Sequence, residues 1–197
     1  IMCEILSAAI CHQINWDYLR KRIYEKTKTT PEWLHFENLE SINADDVYDL
    51  LSTYEKKERI RAKERCEIIN EIGSWAKKFI DIKRVFFESK GTLLNYDIIH
   101  NNILLCSAFS GDPQEKKLQL LIQKLATINS MEELSLYYRP AIDYHLIRNY
   151  LRRGLIYSKT KHAREYVENN LAERTEKTVA AIRMHCADMM DEISIYT

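Results

Sequence analysis

Three short stretches of this 197-residue sequence carry side chains able to do chemistry together. The first is Arg139-Pro140-Ala141-Ile142-Asp143-Tyr144-His145, where a carboxylate follows a proline-stiffened link and opens a basic run. A residue before proline avoids the helical region, so 139–142 reads as an extended link. Asp143 then sits at or near the N-cap of a helix that runs to Arg153 and is ended by Gly154. Taken locally, that carboxylate is either a helix cap or a catalytic group. The second stretch is Lys116-Lys117, at the start of an amphipathic segment. Such lysines face solvent, or act as nucleophiles where burial or a neighbouring cation makes them less basic. The third is Gln13, Asn15 and Trp16, amide side chains beside an aromatic ring.

Helices must position these groups. Ile5, Leu6, Ala9, Ile10 and Ile14, with Leu19 and Ile23 beyond, follow one helical spacing. Thr29-Thr30-Pro31-Glu32 reads as a cap with Pro at the first helical position, and Asn43-Ala44-Asp45-Asp46 as a second cap for a helix through Val47, Leu50 and Leu51. The mixed-charge run Glu55–Arg65 reads as a solvated helix face or linker. Apolar positions 68, 69, 72, 75, 76, 79 and 80 mark an amphipathic helix from Ile68 to Phe87, stopped at Ser89-Lys90-Gly91. Asp97–Phe109 reads as a buried helix. Ser110-Gly111-Asp112-Pro113 reads as a tight turn in which Gly111 is free to take positive φ, and Lys116–Leu125 as the next helix. Two further helices, around Ala163–Glu173 and Thr175–Ile193, close the chain. Four glycines and three prolines are too few for a β-sandwich or barrel, so the expected class is all-α.

The helix–turn–helix unit at 97–125, the Ile142-Asp143-Tyr144-His145 turn and the Gln13/Trp16 segment resemble the helix-hairpin-helix DNA glycosylases of the endonuclease III group. In that family a hairpin unit precedes a hydrophobic-Asp-x-His-hydrophobic loop and a helix ending near Arg-x-Gly. Here Ile142-Asp143-Tyr144-His145-Leu146-Ile147-Arg148 continues to Leu151-Arg152-Arg153-Gly154. Ile10-Cys11-His12-Gln13-Ile14-Asn15-Trp16 is similar to the family's early Leu-x-Gln-Gln-Thr-Ser-Trp segment. Within the family the likeness is strongest to archaeal 8-oxoguanine glycosylases, through the lysine spacing Lys117 to Lys124 and the Pro-x-x-Asp at Pro140–Asp143. The resemblance implies a two-lobed, single-domain fold over 1–197, with lobes at about 26–126 and at 1–25 plus 127–197. It implies Lys117 as nucleophile and Asp143 as its carboxylate partner. Gln13, Asn15 and Trp16 would bind substrate, with Trp75 or Phe109 as pocket walls. Gly111, Lys116, Arg148, Arg152 and Arg153 would contact DNA, and His145 would brace the Asp loop.

The chemistry is coherent. Cleaving an N-glycosidic bond builds positive charge on the sugar, which a nearby carboxylate stabilises. A neutral lysine amine can attack the anomeric carbon and leave a Schiff base, so that strand cleavage accompanies base removal. Two departures bear on this reading. Ser110-Gly111-Asp112-Pro113-Gln114 stands where the family carries Gly-x-Gly, offering fewer free amides to a backbone phosphate. No cysteine cluster follows the last helix, so an iron–sulfur cluster is absent or truncated away, and neither cofactor nor metal is expected.

Bulk properties set the rivals. With 29 basic and 29 acidic side chains, the whole-molecule field gives no argument for nucleic acid, and DNA binding must rest on a local patch. From Tyr144 to Arg164 the charged residues are all basic: Arg148, Arg152, Arg153, Lys159, Lys161 and Arg164. Five scattered cysteines without a CxxC pair argue for reduced thiols in a cytoplasmic protein. No apolar run reaches the ~18 residues of a membrane span, and a monomer is expected. The first expectation is a base-excision N-glycosylase, with or without lyase activity, that flips a damaged purine such as 8-oxoguanine from duplex DNA. The alternatives are a nucleoside or nucleotide N-glycosylase of the queuosine-salvage type, and a non-catalytic helical binding module.

Overall fold

The computed structural model describes residues 1–111, 115–127, 129–137, 149 and 153. These form α1 (Met2–Ile10), α2 (Trp16–Thr29), α3 (Phe36–Ser41), α4 (Ala44–Leu50), α5 (Ala62–Ala76), α6 (Tyr96–Leu104), α7 (Ser107–Ser110) and α8 (Lys116–Ala126). Short 3₁₀ segments lie between and beyond them, and the one β feature among the described residues is an isolated antiparallel bridge between Phe87 and Leu93. The all-α class expected from the sequence is what these residues show.

α1 is the central rod. Every residue from Glu4 to Ile10 is buried, so the helix is covered on all sides, by α2, α5 and α8. Of its two polar members, Ser7 Oγ donates to the Cys3 carbonyl at 2.7 Å and Glu4 Oε1 accepts from Arg20 Nε at 2.6 Å, while Glu4 Oε2 is buried with no hydrogen-bond partner. Each fully buried Leu or Ile here contributes about 1.5–3 kcal/mol.

The helical spacing through Ile14, Leu19 and Ile23 does not make one helix. The chain breaks at Cys11–Asn15, because Gln13 takes φ 59° and Asn15 starts a new helix, its side chain accepting from Tyr18 N at 3.1 Å. The apolar residues on both sides of the break still reach one core, which is why their periodicity reads as continuous. Asn43 caps α4 as expected, in a reciprocal capping box with Asp46. At 31–34 the proline starts a 3₁₀ turn of four residues rather than a full helix.

The segment expected as a helix over 68–87 is shifted. α5 starts at Ala62 and ends at Ala76, after which Asp81 caps a 3₁₀ turn by accepting from Lys83 N at 3.0 Å. Ile80 is fully exposed, and Gly91, at φ 81°, turns the chain back so that Phe86 and Leu94 pair. α3 and α5 share the most extensive contact among the described elements. Gly73 permits it: a Cβ there would lie 2.7 Å from the Phe36 carbonyl oxygen and 2.8 Å from Glu40 N. Across the same crossing Glu40 pairs with Lys77, and Ser74 Oγ donates to Glu40 Oε1 at 2.9 Å.

The buried helix expected over 97–109 is two pieces, α6 and α7, interrupted at Leu105-Cys106, with Leu105 on the surface. Gly111 follows α7 at φ −73°, so it does not use the positive φ open to glycine. Glu115 does instead, at φ 54°, immediately before α8. α8 matches its expected span and buries Leu118, Leu121, Ile122 and Leu125 against the core.

Candidate functional site

The end of α1 and the start of α8 lie near each other, since α8 packs against α1 and the charges of Lys116 and Lys117 act on Cys11. Lys117 lies half-buried on the first turn of α8, and its Nζ donates to the Ala108 carbonyl of α7 at 3.0 Å. Its charge is felt at the end of α1. Burial pushes the Cys11 thiol up, with Lys116 and Lys117 pulling the other way. His12 is held below its ordinary value, first by burial and then by the Arg61 guanidinium, with Arg65 and Lys117 adding to this and Glu64 opposing it. A neutral imidazole beside cations is therefore the resting state at neutral pH. Nearby, burial pushes the Cys106 thiol up to about 11.

Of the substrate-binding candidates, Gln13 is exposed in its left-handed conformation. Asn15 is exposed too, but its side-chain oxygen is committed to capping α2. Trp16 is half-buried, and its Nε1 is buried with no hydrogen-bond partner. Trp75 and Phe109 are not pocket walls. Both lie in the core, at 2% and 1% exposure, and Trp75 Nε1 donates to the Asn102 carbonyl at 2.9 Å.

Gly111 is exposed at the end of α7, and Lys116 is half-buried on the opening residue of α8. Arg153 is exposed in a turn, its N–H bonded to the Asn149 carbonyl at 3.0 Å. Asp143, His145, Arg148 and Arg152 lie outside the described residues, as do the rest of the basic stripe and the last two expected helices.

Two features went unread in the sequence. His100 Nε2 and Glu115 Oε1 meet at 2.8 Å, tying the left-handed residue before α8 to α6. On the adjoining turn of α8, Gln119 is buried and donates to the Tyr96 hydroxyl at 3.2 Å. A periodicity reading treats His100 and Glu115 as unrelated surface polar residues, since only the fold brings them together. Arg65 was placed in a solvated charge run, yet it is 2% exposed. It shares the buried stripe Arg65, Ile69, Ile72, Ala76 of α5, a spacing that could have identified it.

A separate cleft of about 610 Å³ opens between α2, the 31–34 turn, α3 and α4, over Trp33 and Leu50. Acidic Glu25, Glu32, Asp46 and Asp49 outnumber Arg22 and Lys26 around it, and none of the site residues expected from the sequence lines it. Among the described residues no group of three or more His, Cys, Asp or Glu side chains could hold a metal ion, and no helix is long and apolar enough to cross a membrane. Comparison of the chain with family models, with curated proteins and with solved structures finds no match.

Proposed function

We propose that the protein is an N-glycosylase that removes a damaged purine, such as 8-oxoguanine, from duplex DNA, with Asp143 stabilising the sugar cation and Lys117 attacking the anomeric carbon. One observation carries the reading. The two segments on which the glycosylase resemblance rests within the described residues, Gln13–Trp16 and Lys117, are a hundred residues apart in sequence; α1 packs against α8, and the Lys117 charge acts on Cys11 and His12, the residues just before Gln13. In a base-flipping enzyme the residues that read the base and the nucleophile that attacks its sugar must share one pocket. Lys116, Arg148, Arg152 and Arg153 would supply the phosphate contacts, and their affinity would fall steeply with salt.

A second reading is favoured by a specific observation. Lys117 Nζ is engaged as a donor to the Ala108 carbonyl, a bond it must give up before it can attack a sugar. With the balance of 29 basic and 29 acidic groups, this fits a carboxylate-driven N-glycosylase acting on a free nucleoside or nucleotide. Borohydride trapping separates the two. Duplex carrying a single lesion should be captured covalently by the wild type and not by Lys117→Ala. Base release from free nucleosides, insensitive to Lys117→Ala and abolished in Asp143→Asn, would establish the second reading. No release from either substrate class would remove both.

A further inference from the structure

Arg65 is the one buried cation among the described residues, and no carboxylate touches it. Its donors go to four main-chain carbonyls in two segments far apart in sequence. Nε donates to Ile10 at 3.0 Å, and Nη2 to His12. Nη1 reaches Arg59 at 2.9 Å and also Ile60. The neighbouring Glu64 is exposed and pairs with Arg61 at 3.2 Å. Burying a guanidinium without an anion costs desolvation, and capping a helix end does not require it, since a glycine or water satisfies final carbonyls more simply. What four bonds from one rigid, planar group achieve is different: they fix the path of the chain from Ile10 to His12 against the 59–60 turn. The next residue is Gln13, a non-glycine held in the left-handed region, a conformation that persists where its surroundings over-determine it and that clusters at functional sites.

We propose that Arg65 is a positioning residue of the site: through the Ile10 and His12 carbonyls it locks the α1–α2 turn, so that Gln13 stands outward and the turn governs recognition of the nucleobase. The proposal rests on the N-glycosylase reading for its substrate, but not for its structural half. Lysine at this position keeps the charge and loses the planar fork, so it cannot span both segments.

The test uses the full chain as wild type, Arg65→Lys and Arg65→Met, with kcat and KM for base release and amide hydrogen exchange along 8–18. A positioning role predicts that Arg65→Lys raises KM about tenfold with kcat within about twofold, the signature of lost binding rather than lost chemistry. Exchange at 11–15 should quicken while α3 and α8 stay protected, and Arg65→Met should be worse on both counts. Should Arg65→Met fail to fold, Arg65→Lys alone decides. Unchanged exchange at 11–15 in Arg65→Lys overturns the proposal, as does a loss of protection spread through α1, α5 and α8 alike, which is what a general core role produces. A wild type inactive on every substrate, with exchange at 11–15 still quickened, removes the N-glycosylase reading and leaves the positioning of the turn standing.

Discussion

At the scale of single residues, the end of α1 is governed by cations. His12 shows this most simply, since burial together with Arg61, Arg65 and Lys117 disfavours its charged form. The sign follows from proton counting. Its folded-state value lies below the ordinary 6.5, so the unfolded chain binds the proton more readily. The stability this contributes is complete above pH 6.5 and is lost as pH falls through the folded value. Because the ring is largely exposed, solvent screening keeps the effect small. We predict that the wild type loses more stability than His12→Gln between pH 7.5 and 5.5, read from urea midpoints. Equal losses would mean that neither burial nor the neighbouring cations hold the charged form of this ring down.

At the scale of elements, the capping box of α4 was legible, while the caps at Asn15, Asp81 and Asn95 and the breaks between helices were not. Asn43 and Asp46 announce α4 because a capping box is a local device, complete within four residues. The interruption at Cys11–Asn15 leaves no such mark. Arg65, more than fifty residues away, holds the Ile10 and His12 carbonyls beside it, and the apolar spacing continues across it. α5 was displaced for a related reason. Phe79 and Ile80 look like core positions, but the chain has already left the helix there, and Ile80 faces solvent. Gly73 gives the sharpest test of how the elements fit. Alanine is the better helix former, yet its Cβ would press on the backbone of α3, at the Phe36 carbonyl and Glu40 N. Gly73→Ala is expected to destabilise the protein by about 1–3 kcal/mol, the range for overpacking against groups that cannot move aside. A stability gain in urea unfolding would show that the α3–α5 crossing is looser than described.

At the scale of the whole molecule, packing brings together ends of helices that lie far apart in the sequence. The start of α8 lies near the end of α1, where Lys117 acts on Cys11 and His12, because α1, buried from Glu4 to Ile10, is packed between α2, α5 and α8. That convergence was not readable from spacing, which gives faces of helices but not which helices touch. The expected walls Trp75 and Phe109 went to the core instead, as large aromatics on helical stripes commonly do. Asp143 lies outside the described residues, so its role rests on its motif and on the chemistry a carboxylate supplies to a developing sugar cation. The most direct test is release of free base from a duplex carrying one 8-oxoguanine, comparing the wild type with Asp143→Asn at matched protein stability. The account predicts turnover by the wild type and a loss of about a hundredfold or more in the variant, the scale on which losing an electrostatic stabiliser of the transition state registers. Equal rates for the two proteins, or no release by the wild type from any lesion, would contradict it.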